Sequence, residues 1–235
     1  MNATSWRFDG DNCNLFTIYE VPKLSQEANA SIGCDCNIGN DTDCHVVRIT
    51  HKFYSLDGVL LPELAKLPYL RSFSLLGNRL TGEIPPELDN ITTLTKLDLE
   101  ANQLSGTVPL ELGRLFNLNS LILSSNQFTR RLPSTLGQLG NLTNFRINDN
   151  NFIGPIPDFI QNWRLLSRLE IVASGLTGPI PSNISLLENL LDLFLTGNML
   201  SGDIPDTLLV NGASIDLSYN NLTWQGPNQA TCRQN

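Results

Sequence analysis

The sequence repeats itself every 24 residues over most of its length. Each unit follows the pattern LxxLxLxxNxLxGxIPxxLxxLxx. A single unit buries too little apolar surface to offset the entropy lost by ordering its backbone, so the units must stack on one another. The pattern therefore predicts a solenoid. Complete units begin at Leu70, Leu94, Leu118, Leu142, Leu166 and Leu190, with a looser unit from Val46 before them and a partial unit around Ile215 and Leu217 after them.

Each fixed position of the pattern predicts a local structure. The alternating LxL places apolar side chains on one face of a short strand, and the asparagine can bond backbone groups where the chain bends. The glycine permits backbone dihedrals closed to other residues, and the Ile-Pro step keeps the chain extended before it turns back. Stacked units then form a parallel sheet on the concave side. In two units Arg130 replaces the glycine and Ser174 replaces the asparagine, so the backbone can be distorted there.

This pattern resembles the leucine-rich repeat, and its LxGxIP step, as in Leu80–Pro85 and Leu176–Pro181, is similar to the plant-specific class. The resemblance implies a right-handed α/β-type superhelix of about eight units, the last one partial, with a parallel β-sheet on its concave side. We expect three regions in the chain. They are a cysteine-containing N-terminal cap over residues 1–45, the solenoid over 46–223 and a C-terminal tail over 224–235.

Four of the five cysteines precede the first clear unit, at Cys13, Cys34, Cys36 and Cys44. With His45 beside them, they could form a zinc site of thiolates and one imidazole. The alternative is a pair of disulfides, which form in secreted proteins. Cys34 and Cys36 pair poorly with each other, because residues two apart on a strand point the same way without converging. We favour Cys13–Cys34 with Cys36–Cys44, two bridges that would staple the cap over the exposed edge of the first unit.

Seven Asn-x-Ser/Thr sequons favour a secreted glycoprotein, in which thiols oxidise. They lie at Asn2, Asn29, Asn40, Asn90, Asn141, Asn183 and Asn221. Glycans on Asn90 and Asn183 would occupy the convex half and leave the concave face open. A glycan on Asn221 would sit near the concave rim at the C-terminal end.

Three segments are similar to those of one group of plant receptors. Trp6 with the cysteines that follow it, Ile156–Trp163 and Ile215–Gln225 resemble receptor-like kinases that join leucine-rich repeats to a malectin-like domain. The resemblance implies a full-length protein with a signal peptide, this solenoid, a malectin-like domain, one transmembrane helix and a cytoplasmic serine/threonine kinase. The C-terminal end lacks a cysteine pair, so we expect Cys232 to bond to something downstream or to stay free.

Composition and missing motifs exclude several classes of function. The formal charge of −8 gives no electrostatic support to a nucleic-acid-binding face or a basic membrane patch. No apolar run reaches the length of a membrane-spanning helix, and the residues after Met1 are not an intact signal peptide. The chain has no kinase motif, and neither His45 nor His51 lies beside a nucleophile or in a zinc-hydrolase motif. We predict no catalytic residue, no cofactor and no metal ion.

The outward-pointing residues of the concave sheet are the candidate recognition surface. Strands lie about 4.8 Å apart, so equivalent residues of successive units line up in columns. In the later units these columns combine charged side chains with two apolar ones, which suits an oligosaccharide or a short peptide. The candidate ligand-binding residues are Arg146, Asn148, Asp149, Arg168, Glu170, Val172, Asp192 and Phe194. The alternative is that Arg146, Arg168 and Glu170 merely pair with one another across adjacent strands.

We therefore predict a non-catalytic extracellular recognition domain of a plant receptor-like kinase. The resemblance implies that a cell-wall oligosaccharide or a peptide binds its concave face, that a leucine-rich-repeat co-receptor kinase is a partner, and that the protein acts at the plasma membrane. A second hypothesis is a secreted inhibitor of wall-degrading enzymes, similar to polygalacturonase-inhibiting proteins, although those close both ends with cysteine pairs. A third is a truncated decoy receptor.

Overall fold

The main sheet follows the 24-residue period along the whole solenoid. A computed structural model describes residues 28–38, 43–209 and 213–224, and within them this sheet has nine strands. Eight of the strands are parallel, and β1 lies antiparallel to β2 at the N-terminal edge. The strands are β1 (Asn29–Asp35), β2 (His45–Lys52), β4 (Ser72–Ser74), β6 (Lys96–Asp98), β8 (Ser120–Ile122), β10 (Asn144–Arg146), β12 (Arg168–Glu170), β14 (Asp192–Phe194) and β16 (Ser214–Asp216). The predicted parallel sheet is confirmed.

A second set of strands runs along the flank of the solenoid, where the sequence predicted only an extended chain. It forms one sheet of five parallel strands and one of three within the described residues. The central leucine or phenylalanine of the Asn-x-Leu-x-Gly step enters the core there, as Leu104 and Phe128 do. The strands are β3 (Asp57–Val59), β5 (Arg79–Gly82), β7 (Gln103–Gly106), β9 (Gln127–Arg130), β11 (Asn151–Phe152), β13 (Thr177–Gly178), β15 (Met199–Asp203) and β17 (Asn221–Thr223). We call these strands the flank sheet.

Short 3₁₀ helices connect the flank sheet to the next main strand. Pro85 is extended, with φ −63° and ψ 129°, and the Leu88 N–H donates back to its carbonyl at 3.2 Å. So short a segment suits the tighter 3₁₀ turn. The helices span Pro62–Lys66, Pro86–Asn90, Leu110–Arg114, Ser134–Gln138, Asp158–Asn162, Ser182–Leu186 and Asp206–Leu209. Among the described residues, no helical segment has the length and hydropathy needed to cross a bilayer.

A buried asparagine side chain ties each unit to its neighbours. Asn126 donates through Nδ2 to the Leu123 carbonyl of its own unit at 3.1 Å and to the Leu99 carbonyl of the preceding unit at 2.9 Å. Its Oδ1 accepts from the Leu104 N–H at 3.0 Å. These bonds satisfy buried backbone groups that the sheets leave unpaired. We call the set the asparagine ladder, and its members are Asn78, Asn102, Asn126, Asn150, Asn198 and Asn220.

Ser174 interrupts the ladder, and the backbone changes course there. Its hydroxyl donates to the Ile147 carbonyl of the preceding unit at 2.6 Å, as a ladder asparagine would. Serine has no side-chain carbonyl, so the Phe152 N–H bonds to the Ser174 backbone carbonyl at 3.0 Å instead. Gly175 then adopts φ +82°, and the flank sheet breaks between β11 and β13. The expected distortion is confirmed at this position.

Arg130 keeps the regular path of the chain at the cost of its own backbone conformation. Its φ is +68°, in the left-handed region where Gly106 and Gly154 of the neighbouring units have +78° and +84°. The distortion expected at Arg130 is therefore absent. An L-residue pays about 1–2 kcal/mol for this conformation, so the residue itself is strained.

A second left-handed position, which the sequence did not reveal, precedes each ladder residue. Several residues other than glycine adopt it, including Ala101 at φ +57° and Ser125 at φ +54°. The ladder bonds explain why the conformation persists, because the asparagine must turn inward directly after an outward-facing residue.

The N-terminal edge is closed by a hairpin with a disulfide across its connection. Cys36 and Cys44 are bonded, with their Cα atoms 4.0 Å apart, as predicted. The bond removes two of the thiolates that the zinc hypothesis requires. Cys34 is disulfide-bonded as well. Its predicted partner Cys13 lies outside the described residues, as do Cys232, Asn2, Asn40 and most of the predicted tail.

Replacing Arg130 by glycine should stabilise the protein. We expect the free energy of unfolding to rise by about 0.5–1 kcal/mol in Arg130→Gly, because glycine reaches the left-handed conformation without steric cost but loses more entropy on folding. Gly178→Ala is the matched control. An added Cβ there meets only Pro155 Cβ at 3.6 Å, an ordinary contact, so the φ of +76° alone should lower stability by about 1 kcal/mol. Urea denaturation measures both, and a destabilised Arg130→Gly would contradict the strain.

Candidate functional site

The register of the main sheet brings the predicted columns together. Arg146 of β10 pairs with Glu170 of β12, which pairs with Phe194 of β14. Arg168 stands beside Asp192 on the same face of the sheet. We call this face, which points away from the core, the outer face of the main sheet. Backbone pairing therefore places five of the eight candidate residues on three adjacent strands, namely Arg146, Arg168, Glu170, Asp192 and Phe194. Asn148 and Val172 lie two residues past the ends of β10 and β12.

Glu170 is the centre of a hydrogen-bonded network on this face. Its Oε2 accepts from Arg146 Nε at 2.8 Å and from Asn148 Nδ2 at 2.8 Å. Its Oε1 accepts from the guanidinium of Arg168. The carboxylate is thus held by three side chains from two strands, and its side chain is only 7% exposed. We call Arg146, Asn148, Arg168 and Glu170 the Glu170 network.

The network continues outward through its two arginines. Arg146 Nη2 lies 3.1 Å from Glu100 Oε1, and Arg168 Nη1 lies 3.2 Å from Asp192 Oδ2. The Arg168 guanidinium also stands 5.9 Å from the centre of the Phe194 ring, within the range of a cation–π contact. The contacts of Glu170 with Arg146 and Arg168 agree with the alternative from the sequence, in which these three side chains pair with one another.

Two candidates lie apart from the charged network. Val172 is half-buried, and its N–H donates to Asn148 Oδ1 at 2.8 Å, so it orients Asn148 through its backbone. Asp149 occupies the left-handed position before a ladder residue, with φ +51°, and accepts from the Ser125 hydroxyl at 3.2 Å. The structure thus places Asp149 at the turn beyond the sheet rather than among the charges.

One column of the main sheet, which contains Glu170, is buried although its side chains point away from the core. Ser74, Asp98, Ile122 and Glu170 all point to the outer face, yet each is at most 5% exposed. Side chains on parallel strands about 4.8 Å apart cover one another, and long arginines cover the shorter residues between them. Glu170 itself is therefore covered by its neighbours. Arg168 is exposed, and Arg146, Asn148 and the neighbouring Phe194 are half-buried.

Sequence reasoning did not include Glu100 among the candidates, although it contacts Arg146. Its position gives the reason. Glu100 stands in the same outward column as Asn148 but two units earlier. It is 46 residues from Arg146 in the sequence, and only the length of the Arg146 side chain brings the two into contact. A second small cluster also lies nearby, where Ser74 donates to Asp98 at 2.9 Å and Lys96 pairs with the same carboxylate at 3.9 Å.

Glu170 and Glu100 respond to their surroundings in opposite directions. Burial raises the pKa of Glu170, but hydrogen bonds from Asn148 and Arg168 and the charge of Arg146 outweigh it, so the pKa lies below its usual value. At Glu100 burial is the largest influence and raises the pKa, which the charge of Arg146 offsets only in part. As the pH falls, Glu100 therefore takes up a proton before Glu170 does.

The sequons within the described residues differ in accessibility. Asn29, Asn90, Asn141 and Asn221 are exposed, and Asn183 is half-buried. Asn90 and Asn183 belong to 3₁₀ helices, on the opposite side of each unit from the main strand. Asn221 begins β17 and lies on the flank sheet.

The Glu170 network should make stability depend on pH. At neutral pH we expect Glu170→Gln to lower the free energy of unfolding by about 1.5–3 kcal/mol, because charge-assisted hydrogen bonds are lost. Its folded pKa is lowered, so its contribution is present above the unfolded pKa and is lost as pH falls through the folded pKa. The difference between Glu170→Gln and the parent protein should therefore shrink in acid.

Glu100→Gln is the matched control for that experiment. The folded pKa of Glu100 is raised, so this residue favours the folded state less as pH rises through the window between its unfolded and folded pKa values. The variant should gain stability relative to the parent protein over that rise. Urea denaturation across acidic and neutral pH measures both. The same pH trend in both variants would contradict the opposite pKa shifts of Glu170 and Glu100.

Comparisons with known proteins agree with the fold. The Leucine Rich Repeat family matches residues 69–91, 93–115, 117–139 and 141–163. A probable leucine-rich-repeat receptor-like serine/threonine-protein kinase, RFK1 of Arabidopsis thaliana, is 39% identical over 78 residues, which is 33% of this chain and 8% of that protein. The chain thus spans about a twelfth of this curated relative.

Two solved structures are similar over most of the chain. The Arabidopsis receptor kinase HAESA, in complex with the peptide hormone IDA and the co-receptor SERK1, is 30% identical, with a TM-score of 0.69 over 72% of this chain and 28% of that one. A plant ice-binding protein is 31% identical, with a TM-score of 0.70 over 81% of this chain and 61% of that one. The chain is a leucine-rich-repeat solenoid, and part of it is similar to plant leucine-rich-repeat receptor-like kinases.

Proposed function

We propose that this chain is the extracellular recognition part of a plant receptor-like kinase, and that a peptide binds the outer face of its main sheet. The observation that carries the proposal is the Glu170 network beside Phe194. It presents fixed charges and an aromatic ring on one rigid surface. The similarity to HAESA, a receptor kinase solved with a peptide hormone and a co-receptor, supports the same use of the solenoid here.

The network suits an extended peptide for chemical reasons. A guanidinium has five N–H donors, and the ion pairs engage only two nitrogen atoms of Arg146, at Nε and Nη2. The remaining donors can bind peptide carbonyls, while Phe194 can contact an apolar side chain. Because the arginines are already held by Glu170, Glu100 and Asp192, little side-chain entropy is lost when a ligand binds.

The proposal for the rest of the protein rests on the resemblance to plant receptor-like kinases. We propose that the full-length protein belongs to the malectin-domain-containing subfamily, as the N-terminal cysteines and the segment Ile156–Trp163 indicate. It would be held at the plasma membrane with this solenoid outside the cell, and ligand binding would change its association with a leucine-rich-repeat co-receptor kinase. A cell-wall oligosaccharide is the other ligand class for the same face.

Removal of three side chains should abolish binding at this surface. We expect the triple variant Arg146→Ala, Glu170→Ala, Phe194→Ala to lose at least about tenfold in affinity for any peptide or uncharged oligosaccharide that the parent chain binds. The probes are a library of synthetic plant secreted peptides and an array of uncharged cell-wall oligosaccharides, applied to the full oxidised chain. Asp89→Ala with Arg114→Ala is the control, since it removes an ion pair of 2.8 Å on the 3₁₀-helix side.

The outcomes separate the hypotheses. Equal affinity in the triple variant and the parent protein would overturn the site, and thermal unfolding shows whether the variant is folded. If it is not, Phe194→Ser alone replaces it. Inhibition of a wall-degrading polygalacturonase by the parent chain, without binding to any peptide, would favour the secreted inhibitor instead.

A further inference from the structure

The strained Arg130 lies beside a second arginine on the flank of the solenoid. Arg130 ends β9, and Arg131 follows it directly. Both side chains are exposed. At the position of Arg130 the units before and after have Gly106 and Gly154, which adopt the same left-handed backbone without cost. A long cation held in a strained conformation is a reason to look for a ligand, because such strain concentrates at functional sites.

Neither guanidinium is neutralised by the part of the chain that the structure describes. Arg71, Arg114, Arg146 and Arg168 form ion pairs with carboxylates. The side chains of Arg130 and Arg131, in contrast, form no ion pair or hydrogen bond with a described residue. In a chain of formal charge −8, these two adjacent cations form a local positive patch, which the Glu83 carboxylate borders where it lies over Gly106 of the preceding unit. Both cations attract an anionic ligand.

The side chain of Arg131 is directed along the sheet toward the next unit. A Cβ placed on Gly154 would lie 2.9 Å from Arg131 Nε and 3.2 Å from its Cγ. The arginine therefore lies across the backbone of the following unit, in the space that this glycine leaves open. Arg131 thus extends the positive patch from one unit to the next.

The flank sheet around the two arginines presents hydroxyl and amide groups side by side. Its register pairs Thr81 with Gln103, Ser105 with Gln127 and Thr129 with Asn151. Thr129 donates its hydroxyl proton inward to the Gly106 carbonyl at 3.2 Å, and Thr81 donates to Gly58 at 3.1 Å. Both oxygens keep lone pairs that can accept from a sugar hydroxyl.

We propose that the flank sheet binds a linear acidic polysaccharide, a polyuronate, with Arg130 and Arg131 holding its carboxylates and the paired hydroxyl and amide groups of β5, β7, β9 and β11 holding its hydroxyls. A hydroxyl beside an amide recurs at each of these strand pairs, which suits a polymer that repeats its own groups. Arginine binds carboxylates through two parallel N–H donors. This site lies on different strands from the Glu170 network, so the two proposals stand or fall separately.

A polysaccharide fits this surface better than an acidic protein. Ile153 is the large apolar side chain exposed next to the patch, at 52%, and no exposed aromatic side chain of the described residues stands on β7, β9 or β11. Protein interfaces draw most of their affinity from buried aromatic and apolar anchors. A row of hydroxyl, amide and guanidinium groups offers hydrogen bonds instead.

Binding of a defined-length polygalacturonate to the full oxidised chain tests the proposal. The test variant is Arg130→Gly with Arg131→Gln, which removes both cations and also relieves the strain, so loss of binding cannot come from a weaker fold. Arg114→Gln with Arg164→Gln is the control, because it removes two exposed arginines elsewhere and changes the net charge equally. Fully methyl-esterified polygalacturonate and poly-glutamate are the comparison ligands.

We expect the Arg130/Arg131 variant to bind polygalacturonate at least tenfold more weakly, the control variant to change by less than twofold, and the methyl ester not to bind. Polygalacturonate that fails to bind the parent protein would overturn the proposal. Equal loss in both variants would also overturn it, since only net charge would then matter. Tighter binding of poly-glutamate than of polygalacturonate would replace the polysaccharide with an acidic protein.

Discussion

The asparagine ladder is the interaction on which the rest of the structure depends. Each ladder side chain bonds backbone groups of its own unit and of the unit before it, inside a core that excludes water. An unmade bond there would leave buried carbonyl and amide groups unsatisfied, at about 1–3 kcal/mol for each. The ladder therefore fixes both the turn after most main strands and the alignment of neighbouring units, and that alignment sets the register of both sheets.

Both proposed binding surfaces follow from this alignment, but they handle charge differently. On the main sheet, Glu170 is buried because arginines from its own and an adjacent strand cover it, so the charges are paired before any ligand arrives. Such a surface selects a ligand through its remaining donors and Phe194. On the flank sheet, Arg130 and Arg131 are unpaired, and the charge itself is the attraction. The arginine that replaces glycine at position 130 lies on the flank sheet, so it does not disturb the columns of the main sheet.

The 24-residue period was enough to predict the main sheet and its register, because these depend on which residues recur. The Cys36–Cys44 bridge was predicted separately, from the geometry that makes Cys34 and Cys36 poor partners. The flank sheet was missed, since its two- to five-residue strands carry few apolar side chains. The burial of Asp98 and Glu170 was missed as well, because it depends on how far neighbouring side chains reach. The contact between Glu100 and Arg146 was missed for the same reason. At Ser174 one missing side-chain carbonyl was sufficient to redirect the chain, whereas Arg130 absorbed the change in its own φ.

Amide hydrogen exchange in Asn150→Ala tests most directly whether the ladder holds the recognition surface in place. Asn150 donates to the Leu123 and Ile147 carbonyls at 3.1 Å each and accepts from the Phe128 N–H at 3.0 Å. Its neighbour Asn151 is exposed, so Asn151→Ala is the matched control. The account predicts at least tenfold faster exchange in β8, β10 and β12 for Asn150→Ala and unchanged exchange for Asn151→Ala. Equal protection of these strands in both variants would contradict it.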